Sequence, residues 1–184
     1  EVLPPDINES RSQFTVVPNE SGEPSTAIRF GLSAVKGVGE TSVRQVIDER
    51  EAGGKFVNIE DFARRLPLKI LNKKLLESLA KSGALDSLGE RRMLVEHYAL
   101  ISDYRKSSGD TGAAQSDLFG ALNENVETTL IEFPSTPPAT AMQKLQWEKE
   151  TLGLYVSSHP LAGMKAYIAR KARLIGELGA KEVG

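Results

Sequence analysis

Two glycines one residue apart, Gly37 and Gly39, stand between two stretches of helical apolar spacing, and no other feature constrains the fold as much. Leu32 and Val35, three residues apart, lie on one side of a short helix before them. Val43, Val46 and Ile47 follow the i, i+3, i+4 rule after them and give a longer helix one apolar face. Without Cβ atoms at Gly37 and Gly39, the backbone can turn tightly and approach another surface closely. Glu40 and Thr41 then open the second helix, so amides of the turn and of the helix's first turn project together. Unpaired amides at a helix start attract an anion, and a phosphate suits them best.

The rest of the chain reads as mainly helical. Pro4-Pro5, Phe14 to Val17 and the turn-rich stretch from Pro18 to Pro24 lead into Ala27 to Phe30, which pairs back as the second strand of a small β-hairpin. A helix over 40–52 stops at Gly53-Gly54. Asn58 caps a helix over 59–66 that carries Glu60 and Asp61 in its first turn, and Pro67 closes it. Asn72 caps a helix over 73–82 that buries Leu75, Leu76, Leu79 and Ala80. Gly83 turns the chain into a helix from about 89 to 106, with Leu94, Tyr98 and Ile101 inward. Helix, glycine turn, helix thus occurs twice, the second copy degenerate. One copy alone is too small to be stable, so two packed on a shared core are expected, with both turns aimed the same way.

Residues 107–114, SSGDTGAA, have linker composition, and 120–139 are acidic, proline-rich and extended. Between them Gln115-Ser116-Asp117-Leu118-Phe119 sets two large apolar side chains in polar surroundings. Thr140 caps a helix over 141–152, expected to bury Met142, Leu145 and Leu152 and expose Glu148, Lys149 and Glu150. A last helix is expected near 161–172.

Charge separates these parts more clearly than the net value of −2 suggests. From Arg64 to Arg92 there are eight basic residues against three acids, whereas residues 107–143 hold five acids and no Lys or Arg. The first region suits a polyanion and the second repels one. With no cysteine there are no disulfides or thiolate metal sites, which accords with a reducing cytosol. No apolar run is long enough to span a membrane. The opening Glu1 and the lack of a signal pattern suggest a segment of a longer protein.

The pattern at Leu32 to Ile47 resembles the helix-hairpin-helix, a module that grips the nucleic-acid backbone without reading sequence. Four blocks extend the resemblance along the chain in order: residues 2–10 (VLPPDINES), 28–40 (from IRFGL to KGVGE), 79–88 (LAKSGALDSL) and 148–161 (EKETLGLYVSSHPL). Together they resemble the bacterial replicative DNA polymerase III alpha subunits, the C-family polymerases, in the region between fingers and OB-fold. That resemblance implies four parts: the end of the fingers with a β-hairpin lead-in over 1–30, a tandem helix-hairpin-helix domain over 31–106, a flexible linker over 107–139, and a helical connector over 140–184. It also implies that residues 115–119 match the sliding-clamp-binding consensus, Ser116 being the departure that makes the affinity modest.

The residues expected at duplex DNA are Lys36, Gly37, Val38, Gly39, Thr41, Arg44, Lys73, Lys74, Lys81, Ser82, Gly83, Ala84 and Arg91. The phosphate-holding amides among them belong to Gly37, Gly39, Gly83 and Ala84. Gln115, Ser116, Asp117, Leu118 and Phe119 are expected at the clamp. Lys36 precedes Gly37 where a P-loop needs Gly-Lys-Ser/Thr, so nucleotide binding does not fit. No Asp-x-Asp pair appears that suits two-metal nucleotidyl transfer, and His97 and His159 lack ligand neighbours. Trp147 and Tyr155 read as hydrophobic anchors. The segment is therefore expected to be catalytically silent and to hold no cofactor. The resemblance implies a parent DNA-directed polymerase whose aspartates lie elsewhere and which needs Mg2+ and deoxynucleotides. Replisome subunits as partners and a cytoplasmic, nucleoid-associated location follow from it too. The rival readings are a helical protein-interaction scaffold and the same segment of an error-prone relative.

Overall fold

A computed structural model describes residues 1–18, 24–109, 130–164, 167, 170 and 171. Its first element is a small sheet of β1 (Val2–Leu3), β2 (Thr15–Pro18) and β3 (Pro24–Arg29), in the order β1-β3-β2. The expected hairpin is the antiparallel β2–β3 pair; the short β1, parallel to β3, is an addition. A 3-10 turn over Leu32–Ala34 follows. Six helices complete the described chain: α1 (Glu40–Gly53), α2 (Ile59–Arg65), α3 (Lys73–Ser82), α4 (Arg91–Glu96), α5 (Tyr98–Gly109) and α6 (Ala141–Thr151). The single helix expected over 89–106 is thus two, broken at His97.

Most helix starts follow from local chemistry. Asn58 accepts the Asp61 N–H at 2.8 Å, Asn72 accepts the Leu75 N–H at 3.0 Å, and Thr140 forms a reciprocal capping box with Gln143. Glu90 caps α4 by accepting the Met93 N–H at 3.0 Å. Helices α1 to α5 converge on one apolar core in which Leu32, Val43, Val46, Phe62, Leu76, Leu79, Leu85, Leu94 and Ile101 are almost wholly buried. Burying a side chain of this size stabilises the fold by roughly 1.5–3 kcal/mol. The N-terminal segment is tied to this core at its main chain: Ile7 N–H reaches the Ala84 carbonyl at 2.8 Å, and the Arg50 guanidinium donates to the Ile7 and Ser10 carbonyls.

Residues 130–139 are not a loose linker. Ile131 and Phe133 pack against the helical core, Ile131 N–H donates to Glu60 at 3.1 Å, and Ala139 N–H donates to Glu90 at 2.8 Å. His97 Nε2 lies 2.9 Å from Thr136 Oγ1, a structural use of that ring. The pentapeptide 115–119 lies outside the described residues, as do 165, 166, 168, 169 and 172 of the last helix expected near 161–172, whose start is a 3-10 turn over Ala162–Met164.

In α6 the expected burial is partly reversed. Leu145 and Leu152 are buried, but Met142 is 64% exposed and Glu148 is fully buried. Glu148 stands three residues after Leu145 and four before Leu152, so helical spacing sets it on their inward face. Its charge is accommodated there by a partner from another helix, described below. Leu32 and Val35, expected on one side of a short helix, enter two different clusters: Leu32 joins the main core, whereas Val35 packs with Phe30 and Leu152.

Candidate nucleic-acid interface

The first glycine turn has the form that its sequence predicts. Gly37 adopts a φ of 90°, a conformation L side chains rarely take, and a Cβ there would collide with Ser78 Oγ of α3. Gly39 is the N-cap of α1 with extended backbone (φ −81°, ψ 145°) and no side-chain cap bond. The first main-chain bond of the helix is Val43 N–H to the Gly39 carbonyl at 3.0 Å. The amides of Gly37, Gly39, Glu40, Thr41 and Ser42 therefore have no acceptor among the described residues. Gly37, Gly39 and Thr41 are also exposed, Val38 is half-buried, and the α1 dipole reinforces the positive end.

Beside this turn, a cleft of about 550 Å³ is lined by Lys36, Gly37, Lys73, Lys74, Ser78 and Lys81, with Glu77, Glu150 and Thr151 closing it. The fold thus brings the turn to the N-terminal half of α3. Lys36, Lys73 and Lys74 are exposed and make no ion pair among the described residues, though Lys73 Nζ lies 5.0 Å from the centre of the Tyr98 ring. Lys81 is committed: it pairs with Glu77 at 2.8 Å and lies 3.5 Å from Glu150. Burial disfavours its charge, but these two carboxylates outweigh that and raise its pKa above the usual lysine value. Arg44 is exposed on α1, 3.7 Å from Glu40. Ser78, Glu77 and Glu150 were not singled out from sequence, although Ser78 and Glu77 follow Lys74 and Lys73 by one helical turn, a legible signal.

The second turn differs from expectation. Gly83 has a φ of 85° and serves as the left-handed C-cap of α3, donating its N–H to the Ala80 carbonyl. Ala84 N–H bonds the Leu79 carbonyl at 2.9 Å. Both amides expected to hold phosphate are thus spent on ending the helix. Ser82, Gly83 and Ala84 are buried, and Ser82 Oγ donates to the Leu79 carbonyl. At the start of α4, the Glu90 carboxylate occupies the place an anion would take.

Arg91 is corrected as well. Only 4% of its side chain is exposed; it donates to Asp86 at 2.8 and 2.9 Å and to Glu148 Oε1 at 3.0 Å. Glu148 Oε2 in turn accepts the Val156 and Ser157 N–H groups, each at 3.0 Å. Burial raises the Glu148 pKa, but the Ser157 and Val156 amides and Arg91 outweigh it, so the carboxyl lies below its ordinary value. His159 Nδ1 accepts the Leu161 N–H at 3.1 Å and shapes a turn. Trp147 is half-buried, whereas Tyr155 is 41% exposed beneath Lys149. Among the described residues no three His, Cys, Asp or Glu side chains converge as a metal site requires. None of the described helices is long and apolar enough to cross a membrane.

Comparison with known proteins gives the family. The family model described as a helix-hairpin-helix motif matches residues 1–94. The chain is 42% identical over 160 residues to the DNA polymerase III subunit alpha of Thermus aquaticus, which covers 87% of this chain and 12% of that protein. It is 43% identical over 164 residues to the one from Deinococcus radiodurans, with the same 87% and 12% coverage. With that of Escherichia coli it shares 35% over 186 residues, 99% of this chain and 15% of that protein. The chain thus spans about an eighth of the length of the first two of these relatives.

Proposed function

The chain belongs to the helix-hairpin-helix family, within a segment shared with bacterial DNA polymerase III alpha subunits, and from that premise we propose that it holds the sugar-phosphate backbone of duplex DNA. The observation that carries the reading is the uncapped start of α1. Just before it, Gly37, whose amide is also free, lines one open cleft with Lys36, Lys73 and Lys74. Main-chain donors and lysines on helix faces recognise phosphates and do not read base edges, so binding is independent of sequence. The duplex contacts are Lys36, Gly37, Gly39, Thr41, Lys73 and Lys74, with Arg44 at the margin. Lys81 contributes field rather than a free ammonium.

Residues 115–119 supply the second half of the proposal. Leu118 and Phe119 suit insertion into an apolar pocket, as extended peptides do on a partner, and the match to the clamp-binding consensus supports a tether to a sliding clamp. Holding the duplex and the ring that encircles it would keep a polymerase on its template through effective concentration. The parts of the chain would then be a lead-in over 1–30, the DNA-binding helices over 31–106, the segment with the tether over 107–139, and a connector over 140–184. Chemistry belongs, on this reading, to other parts of the longer protein.

Titrating the chain with mixed-sequence duplex across a salt series tests the first half. Affinity is expected to fall with a log–log slope of about 0.9 per neutralised phosphate. Absence of binding at every salt concentration would instead favour a protein-interaction scaffold. Replacing Leu118 and Phe119 by Ala is expected to abolish capture by the sliding clamp and spare DNA binding; persistent capture would reject the tether.

A further inference from the structure

The DNA-facing turn is held from outside the residues the family model covers. Lys36 N–H, at the entry to the turn, donates to the Thr151 carbonyl at the end of α6 at 2.9 Å. Val35, one residue earlier, packs with Phe30 and Leu152, and Val38 and Val156 border the same cluster. Thr151 and Glu150 themselves form part of the lysine cleft wall. The last turn of α6 and the loop after it therefore form a shelf under the glycine turn.

One side chain locks that shelf in place. Glu148 has no exposed surface; its Oε1 receives Arg91 of α4, and its Oε2 receives the amides of Val156 and Ser157. The carboxylate thus ties α6 to α4 on one side and folds residues 153–157 back on the other. Gly153, with a φ of 80°, makes that reversal possible. Three donors converge on two oxygens, and no neutral side chain of the same shape can accept from all three.

We propose that Glu148 is a positioning residue for DNA binding: through the Thr151 carbonyl and Leu152 it fixes the turn whose amides meet the phosphates, without touching DNA. This rests on the duplex-binding reading and extends it, because the working site then includes α6, not residues 1–94 alone. Glu148→Gln exposes the dependence. The amide NH2 of Gln must face either the Arg91 guanidinium or the two main-chain N–H groups, so one of the attachments is lost.

The test compares the 184-residue chain with its Glu148→Gln, Leu152→Ala and Ile101→Val variants, all measured well below their melting temperatures. Ile101 is a core residue of α5 and controls for general destabilisation. Two readouts are taken: the salt slope of duplex binding, and hydrogen exchange at the bonded amides of the turn, Lys36, Val38 and Val43. Glu148→Gln is expected to flatten the log–log slope by about 0.9 or more, the loss of at least one phosphate. It should also speed exchange across the turn. Leu152→Ala, the milder variant should Glu148→Gln not fold, is expected to act in the same direction, and Ile101→Val to leave slope and turn exchange unchanged. A wild-type slope and wild-type turn exchange in both Glu148→Gln and Leu152→Ala would overturn the proposal. If the unmodified chain shows no salt-dependent binding, the duplex-binding reading falls instead, and exchange at the turn alone decides whether Glu148 positions it.

Discussion

At Gly37 the requirement for glycine is both conformational and steric. Its φ of 90° disfavours any side chain, and the Ser78 hydroxyl fills the place of a Cβ. Gly37→Ala is therefore expected to destabilise the fold by about 1–2 kcal/mol or more, since two penalties act together. Thermal melting of the variant measures it; an unchanged melting temperature would mean that the turn does not need this geometry. Gly83 looks equivalent in sequence, yet its work is different. It closes α3 and lies against the Arg91 guanidinium. A glycine after an apolar helix is as good a C-cap as a phosphate turn, and the sequence holds no information on where its amides are spent. Arg91 illustrates the same limit. Its spacing to Leu94 sets it on the inward face of α4, but its partner Glu148 lies 57 residues further on, beyond any local pattern.

Among the elements, helices were the legible part because they are written locally. Apolar spacing and the caps at Asn58, Asn72 and Thr140 gave α1, α2, α3 and α6 to within a residue. β1 was not legible, since two residues carry no period and their partner stands some 26 residues away in β3. The α4–α6 contact was hidden for the reason given for Arg91, and it makes a prediction about acid. The folded-state pKa of Glu148 is depressed, so its contribution to stability is complete above the unfolded-state carboxyl value. That contribution disappears as pH falls through the lower folded-state value. Denaturant unfolding followed across the acidic range is expected to show stability falling with pH. The fall should be shallower in Glu148→Gln, with a remainder from Asp61 and Glu90, whose pKa values are also lowered. Identical pH profiles would dismiss the Glu148 contribution.

Taken whole, the molecule joins a helical core to a later segment that the sequence treated as separate. Residues 130–139 lie along the helices, and α6 packs on α3 beside the lysine cleft. Two phosphate turns were expected, the second a degenerate copy of the first; the structure offers one open turn and one that is closed by its own chain. The lysines beside the turn come from α3, within the basic stretch of the charge count, and from Lys36, outside it, without Ser82 to Ala84 or Arg91. Burial, not charge, separates the two groups, and burial depends on distant contacts.

The central claim is that the start of α1 is left uncapped in order to receive a phosphate. Gly39→Asp tests it most directly, because the backbone there is extended and no atom lies within 4 Å of an added Cβ. The new carboxylate would cap the helix from within, so stability should hold or rise by about a few tenths of a kcal/mol. Duplex affinity measured alongside is expected to fall by roughly tenfold or more, with a salt slope flatter by about 0.9. A folded Gly39→Asp variant that binds duplex with the affinity and salt slope of the unmodified chain would contradict the account.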